Sequence, residues 1–427
     1  MKFYIYTLGC KVNSYESSIM AEDLIKSGFI QLKNPEEIAD IYIINTCSVT
    51  NTADNKSLKI IRHAIRKNKD AIIVVCGCLA QTKKELVDID GVDIIIGNKN
   101  KSKISDYIKN YINDKKKNID IYDISNIEFE TMKLNNFNKA RAFIKIQDGC
   151  NNFCSYCIIP YTRGGVRSKK KEDIFKEVNN LILNGHKEIV LTGIHTGNYG
   201  SEFENYDFAD LLNDLVKTNG LSRIRISSIE ITELNDRVLD IIKNNSILVD
   251  HLHIPLQSGS NHILKMMNRK YDKEYFIEKI NKIRTIRPNI SITTDVIVGF
   301  PGETEENFNE TIDTINKIKF SKLHVFPYSK REGTKAANME NQISETIKKE
   351  RTMTLINISK TLENDYMNKF INKEITFIPE VYKEGNLIGH TGNYLLVKAK
   401  GNEELINKEL KVKIKSNNYP YLLAEII

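Results

Sequence analysis

The sequence predicts an α/β protein in three parts: a doubly wound parallel sheet, a partial (β/α)6 barrel and a small all-β barrel. Two stretches in which strands and helices alternate predict the first two parts, and a β-rich tail predicts the third. In the first stretch, Lys2–Gly9, Asp40–Cys47, Ala71–Gly77 and Asp93–Gly97 read as buried strands. Helical sequence such as Ser14–Lys26 separates them, which is the pattern of a parallel sheet covered on both faces. The polar run Asn113–Asn118 and the weakly patterned Ser125–Lys139 then read as a linker.

The second stretch offers six strands: Phe143–Gln147, Glu188–Gly193, Arg223–Ser228, Leu252–Leu256, Ser291–Gly299 and Lys322–Tyr328. They recur about every 35 residues with helical sequence between, as βα units of a barrel would. The long helix Ser344–Phe370 closes this part. Ile375–Pro379, Leu387–His390, Tyr394–Ala399 and Glu409–Lys415 are short strands divided by Gly and Asn turns, a pattern used by small barrels that hold RNA. The expected domains are therefore 1–113, 136–365 and 366–427.

Bulk composition narrows the class. At 427 residues, with 41% hydrophobic and 27% charged residues, the chain reads as globular and multidomain. No apolar stretch has the length of a membrane span, and the start MKFYIYTLGC lacks the layout of a secretory signal. A cytoplasmic location is expected, where seven cysteines stay reduced and available to metal. The net charge of +7 permits a nucleic-acid partner without demonstrating one.

The strongest chemical signal is DGCNNFCSYCIIPYTRG, in which Cys150, Cys154 and Cys157 have CxxxCxxC spacing. Three thiolates so placed can hold three irons of a [4Fe-4S] cluster and leave the fourth open to a small molecule. Structural zinc sites typically pair two CxxC-like knuckles to reach four closed ligands, and no second knuckle is present. Cys10, Cys47 and Cys78 follow or end three strands of the first stretch. The carboxyl ends of parallel strands meet at one crevice, so these three can converge as a second open site. Cys76 lies two residues before Cys78 and shares its direction along a strand, so local geometry does not choose between them.

Two groups of cations invite a nucleic-acid reading. Lys59, Arg62, Arg66 and Lys69 follow helical spacing beside an apolar Leu58, Ile61 and Ile65 face, as a phosphate-tracking stripe or an ordinary solvated face. Lys411, Lys413 and Lys415 share a strand face, as phosphate contacts or as an edge that blocks aggregation. Lys169–Lys171 is open to the same two readings. His251, His253 and His324 read as structural or substrate-positioning, since cysteines account for both metal sites.

GCNNFCSYCIIPYTRGGVRS resembles the radical S-adenosylmethionine (SAM) signature of the methylthiotransferases. TLGCKVNSYES, INTCSVTNTAD and CGCLAQ resemble that family's amino-terminal domain. HIPLQSGSNHILKMMNRKY, TTDVIVGFPGET and HVFPYSKREGTKAA resemble its later blocks, and the tail resembles its TRAM domain. TLGCKVN is similar to the branch acting on threonylcarbamoyladenosine beside the tRNA anticodon. Other branches act on isopentenyladenosine in tRNA or on a ribosomal protein.

The resemblance implies two [4Fe-4S] clusters, with Cys78 rather than Cys76 as a ligand. The cluster on Cys150, Cys154 and Cys157 would bind and cleave SAM to a 5′-deoxyadenosyl radical. The cluster on Cys10, Cys47 and Cys78 would carry the sulfur, which a first SAM methylates. Such chemistry is needed because no side-chain base can usefully remove the hydrogen on carbon 2 of adenine. The resemblance also implies SAM contacts from Tyr156, Thr192, Gly193, Glu230, Ile297 and Gly299. The implied partners are the tRNA anticodon loop, whose bases are already unpaired, and an external electron donor of flavodoxin or ferredoxin type.

Overall fold

The structure, a computed structural model, describes residues 1–124, 128–135, 137 and 140–427. Residues 125–127, 136, 138 and 139 of the expected linker lie outside that set. The chain divides into two compact units. One comprises Met1–Asn135, Phe143–Glu177 and Ser329–Ala337; the other comprises Asn136–Ala142, Val178–Tyr328 and Asn338–Ile427.

The first unit is built on strands β1 (Lys2–Thr7), β2 (Ile30–Gln31), β3 (Ile41–Thr46), β4 (Ile72–Gly77), β5 (Ile94–Ile96) and β6 (Asn118–Asp120). They form one parallel sheet in the order β2-β1-β3-β4-β5-β6. Every residue of β3 and β4 is buried, which is why both read as unbroken apolar runs. Alternate side chains serve opposite faces. Ile41, Ile43 and Val74 pack with Met20 and Leu24 of α1 (Lys11–Lys26) and with Ile104 and Ile108 of α4 (Ile104–Asp114). Tyr42, Ile44 and Val75 pack with Ile61 and Ala64 of α2 (Asn51–Lys67) and with Leu79 of α3 (Cys78–Thr82). Thr50 caps α2, its Oγ1 accepting from the Ala53 N–H at 3.1 Å.

Two strands depart from the sequence expectation. β2 is only two residues long, and Asn118–Asp120, which borders the polar run read as linker, adds parallel to β5. Both are edge strands, where one side stays wet and an apolar run is not required.

The unit also holds most of β7 (Arg141–Lys145), then β8 (Gln147–Asp148), α5 (Ile159–Arg163) and β9 (Arg167–Ser168). β8 pairs antiparallel with β9, Gln147 opposite Ser168 and Asp148 opposite Arg167. That pairing ties together the two ends of the CxxxCxxC loop. Helix α6 (Lys171–Leu183) follows.

The second unit contains β10 (Glu188–Thr192), α7 (Phe208–Leu215), β11 (Arg223–Ile226), α8 (Asp236–Asn244), β12 (His251–His253), α9 (Asn261–Met266) and α10 (Lys273–Ile286). It continues with β13 (Ser291–Val298), α11 (Glu305–Ile318), β14 (Lys322–Pro327) and α12 (Glu345–Asn368). β10 pairs parallel with β11, and β12, β13 and β14 pair parallel in that order. Bridges from Ile224 to Leu248 and from Ser228 to His253 join the two groups into an arc, the expected partial barrel.

The tail forms a closed barrel from β15 (Glu374–Lys383), β16 (Asn386–Thr391), β17 (Leu396–Lys400), β18 (Leu410–Asn418) and β19 (Tyr421–Ile426), in the order β15-β16-β17-β19-β18. β19 is absent from the sequence reading. Arg225 of β11 donates to Glu188 at 2.7 Å and to the Gly392 carbonyl at 3.0 Å, fastening this barrel within the unit. Tyr394 stacks on His251 (4.8 Å between centroids) and lies under the Arg141 and Arg225 guanidiniums, at 5.1 and 4.9 Å. His251 is thus structural. Among the described residues, no helix is long and apolar enough to cross a membrane.

Candidate metal centres

The sheet of the first unit gathers the N-terminal cysteines. Cys10 follows β1 at the start of α1, Cys47 follows β3, and Cys78 follows β4 as the first residue of α3. Cys47 and Cys78 are buried and Cys10 is exposed. Their thiols act on one another electrostatically. Burial pushes the Cys47 thiol up to about 12, and negative charge on Cys78 or Cys10 opposes its ionisation further. Close approach depends on Gly9, where a Cβ would lie 2.7 Å from Cys47 Sγ.

Cys76 belongs elsewhere. Gly77 takes φ +98°, which breaks the strand alternation, and the Cys76 thiol lies 3.9 Å from Met20 Sδ in the apolar layer under α1. The shared direction expected of Cys76 and Cys78 is therefore corrected.

The second trio is local. Gly149 precedes it with φ +73°, and a Cβ there would lie 1.9 Å from the Gly165 carbonyl oxygen. The Cys150 N–H donates to the Gly164 carbonyl at 3.0 Å, and the Cys157 N–H to the Cys154 carbonyl at 2.9 Å. The Asn152 N–H donates to Cys150 Sγ at 3.4 Å. Cys150, Cys154, Cys157 and Tyr156 are all half-buried.

Among the described residues, no group of three Cys, His, Asp or Glu side chains could hold a metal ion as the side chains stand. A four-iron cluster makes a different demand, because each thiolate bonds a different iron. All seven cysteines are thiols rather than disulfides. A soft, all-thiol donor set suits iron and sulfide, and buried thiols such as Cys47 need a cation to ionise. Both trios fit the group.

Sequence reasoning missed the polar frame that surrounds them. Asn13 Nδ2 donates to the Leu8 and Thr46 carbonyls at 2.7 and 2.9 Å, pinning the turns that carry Cys10 and Cys47. Asn98 Nδ2 lies 3.5 Å from Cys78 Sγ and donates to the Thr162 carbonyl at 2.8 Å. Arg163 is wholly buried: Nη1 donates to Glu16 at 3.0 Å and Asp148 at 3.1 Å, and Nη2 to Asn13 Oδ1 at 2.8 Å. Burial disfavours charge on Glu16, yet Arg163, Lys101 and Lys145 outweigh it and hold Glu16 below the usual carboxylate range. Asn13 and Glu16 sit within NSYE, one helical turn apart on α1, which is the signal that was available. Arg331 completes the frame, donating to Ser48 Oγ at 2.7 Å and pairing with Asp54 at 2.9 Å just past Cys47.

Tyr156 belongs to the first unit, whereas the other residues expected to meet SAM lie in the second unit, at or near strand carboxyl ends. Thr192 ends β10, buried, and Gly193 follows it. Glu230 lies past β11, where its carboxylate is ion-paired with Arg269. Ile297 is in β13, its N–H donating to the Gln257 carbonyl at 2.9 Å. Gly299 follows with φ +69°, and a Cβ there would lie 2.3 Å from Lys348 Cγ. His253 Nδ1 is 2.9 Å from Thr293 Oγ1, and its ring lies 5.5 Å from that of His324.

The candidate phosphate contacts divide. Lys59, Arg62 and Arg66 are exposed on α2 opposite the buried Ile61. Lys411 and Lys415 are exposed and pair with Glu374 and Glu425, each at 2.6 Å, while Lys413 is half-buried. Their strand is hydrogen-bonded on both sides in a closed barrel, so the edge reading is corrected. Lys169 is corrected as well. It is buried, ion-paired with Glu177, and donates to the Met132 carbonyl at 2.9 Å.

Residues 144–315 match the family model described as Radical SAM superfamily, and residues 2–97 match Uncharacterized protein family UPF0004. A Bacillus subtilis (strain 168) protein, "Threonylcarbamoyladenosine tRNA methylthiotransferase MtaB", is 46% identical over 97% of this chain and 94% of its own length. An Alkaliphilus oremlandii (strain OhILAs) protein, "tRNA-2-methylthio-N(6)-dimethylallyladenosine synthase", is 38% identical over 97% of this chain and 90% of its own. Among solved structures, the radical S-adenosylmethionine methyltransferase TsrM from Kitasatospora setae aligns with a TM-score of 0.58. That match has 13% identity over 79% of this chain and 76% of the other, a likeness of fold alone. Two cysteine trios on this fold, with 46% identity along almost the whole length, show that the chain belongs to the radical SAM methylthiotransferase family.

Proposed function

We propose that this protein methylthiolates carbon 2 of N6-threonylcarbamoyladenosine beside the tRNA anticodon. Cys150, Cys154 and Cys157 would hold the cluster that cleaves SAM, and Cys10, Cys47 and Cys78 the cluster that carries sulfur. The reading is carried by the 46% identity to a relative of that name, against 38% for the dimethylallyladenosine relative. When bound, the clusters and SAM supply the one-electron chemistry and the sulfur that an aromatic carbon–hydrogen bond requires. In this reading residues 1–113 form the sulfur-carrying domain, 136–365 the SAM domain and 366–427 the tRNA-gripping domain.

The chain's own residues bind and orient. The left-handed turn at Gly149 and the Asn152 N–H set the direction of the Cys150 thiol. Tyr156, Thr192, Gly193, Glu230, Ile297 and Gly299 would contact SAM, with Arg269 fixing the Glu230 carboxylate. An external donor of flavodoxin or ferredoxin type would supply electrons, in a cytoplasmic setting.

Mass spectrometry of tRNA nucleosides from cells lacking the gene tests the reading. The expected result is loss of the methylthio group from threonylcarbamoyladenosine alone, restored by the gene. Unchanged nucleosides would overturn it, and loss from isopentenyladenosine would assign the other branch.

The lysines of β18 give a second expectation. Their ion pairs are exposed and individually weak, so a phosphate can displace the carboxylates. Changing Lys411, Lys413 and Lys415 to Ala should weaken tRNA binding. It should also flatten the slope of log affinity against log salt by roughly 0.7–0.9 for each phosphate no longer neutralised. A filter-binding series over salt concentration reads this out, and an unchanged slope removes these lysines from the interface.

A further inference from the structure

Five charged side chains are buried together in the first unit, none more than 3% exposed, and none is a cysteine. Glu16 receives Lys101 at 2.5 Å, Lys145 at 2.9 Å and Arg163 at 3.0 Å; Asp148 receives Lys145 at 2.6 Å and Arg163 at 3.1 Å. Three cations face two carboxylates, so one positive charge is in excess. Arg167, 3.2 Å from Asp148, adds to the excess. A buried surplus of charge is costly unless an opposite charge lies within reach. Arg163 Nε is buried and makes no hydrogen bond among the described residues.

The position of Arg163 indicates where that opposite charge belongs. Its Nη2 donates to Asn13 Oδ1, and Cys10 Sγ lies 3.9 Å from the same oxygen. The carbonyl of the preceding Thr162 receives Asn98 Nδ2, which also approaches Cys78 Sγ. Asn13 further holds the carbonyl of Thr46, next to Cys47. On its other side, Arg163 ends the helix that begins two residues after Cys157, and the Gly164 carbonyl receives the Cys150 N–H. One arginine is thus framed by both trios.

We propose that Arg163 is a positioning residue shared by the two cysteine trios, and that its charge raises the reduction potential of the cluster on Cys10, Cys47 and Cys78. This rests on the two-cluster reading above. Three thiolates carry more negative charge than the cluster core carries positive, so the assembly is anionic and becomes more so on reduction. A fixed cation in a low-dielectric interior stabilises the reduced form more than the oxidised one.

The test uses the full chain with Cys150, Cys154 and Cys157 changed to Ala, so that only one cluster titrates. After anaerobic reconstitution with iron and sulfide, the midpoint potential is read by electron paramagnetic resonance. Arg163→Met should shift it to more negative values, Glu16→Gln should shift it to more positive values, and Arg163→Lys should stay near the parent. If Arg163→Met does not fold, the isosteric Glu16→Gln still decides the sign. A folded Arg163→Met or Glu16→Gln protein that titrates at the parental potential, or shifts the other way, overturns the inference. A parent that retains no cluster overturns the two-cluster reading itself, a result recognisable from its iron content before any titration.

Discussion

Changing Cys150, Cys154 and Cys157 together to Ala is expected to abolish the methylthio product and to halve the bound iron. Reconstituted wild-type protein should approach two four-iron clusters, about eight irons per chain. The variant should hold about four, because the N-terminal trio is borne by different elements. Cys10, Cys47 and Cys78 hang from the ends of β1, β3 and β4, strands of a sheet that does not include the CxxxCxxC loop. Changing those three to Ala should remove the other half. Cys76→Ala should leave the iron content unchanged, since that thiol packs against Met20. Iron and acid-labile sulfide assays, with tRNA nucleoside analysis, read all three variants. Retention of eight irons in the Cys150, Cys154, Cys157 variant would overturn the ligand assignment.

What could be read in the sequence followed from how strongly burial constrains composition. β3 and β4 are covered on both faces, so IYIINT and IIVVCG could hardly be anything but central strands. β2, β6 and β19 left weaker traces, because they are short or only half-buried and tolerate polar residues. The cysteines were legible because thiol spacing encodes chemistry directly.

The charged frame was not legible, for an equally physical reason. A charge in a sequence reads as solvated until its partner is known, and these partners are remote. Lys101 lies 85 residues from Glu16, and Arg163 lies 147 residues from it. Lys169 shows the same blindness from the other side: a lysine in a basic run proved to be a buried partner of Glu177. Only the fold decides which lysines face water.

Glu16→Ala should destabilise the first unit by about 3–5 kcal/mol, the usual effect of deleting one member of a buried ionic cluster. Its carboxylate is the common acceptor of Lys101, Lys145 and Arg163, so the deletion strands three cations in a dry interior. Asp148 remains as a partner for two of them, but among the described residues Lys101 keeps only the amide oxygens of Asn45 and Asn98, at 3.4 and 3.1 Å. A urea titration should show the lowered midpoint. Acid should mimic the substitution. The pKa of Glu16 is lower folded than unfolded, so its contribution is complete above the unfolded carboxylate range, near pH 4–5. As pH falls from there toward the folded value, the contribution is progressively lost. Wild type should therefore lose stability more steeply than Glu16→Ala below about pH 5, and the two curves should converge. Parallel curves would mean that Glu16 titrates alike in the folded and unfolded states, which would overturn the role given to its carboxylate.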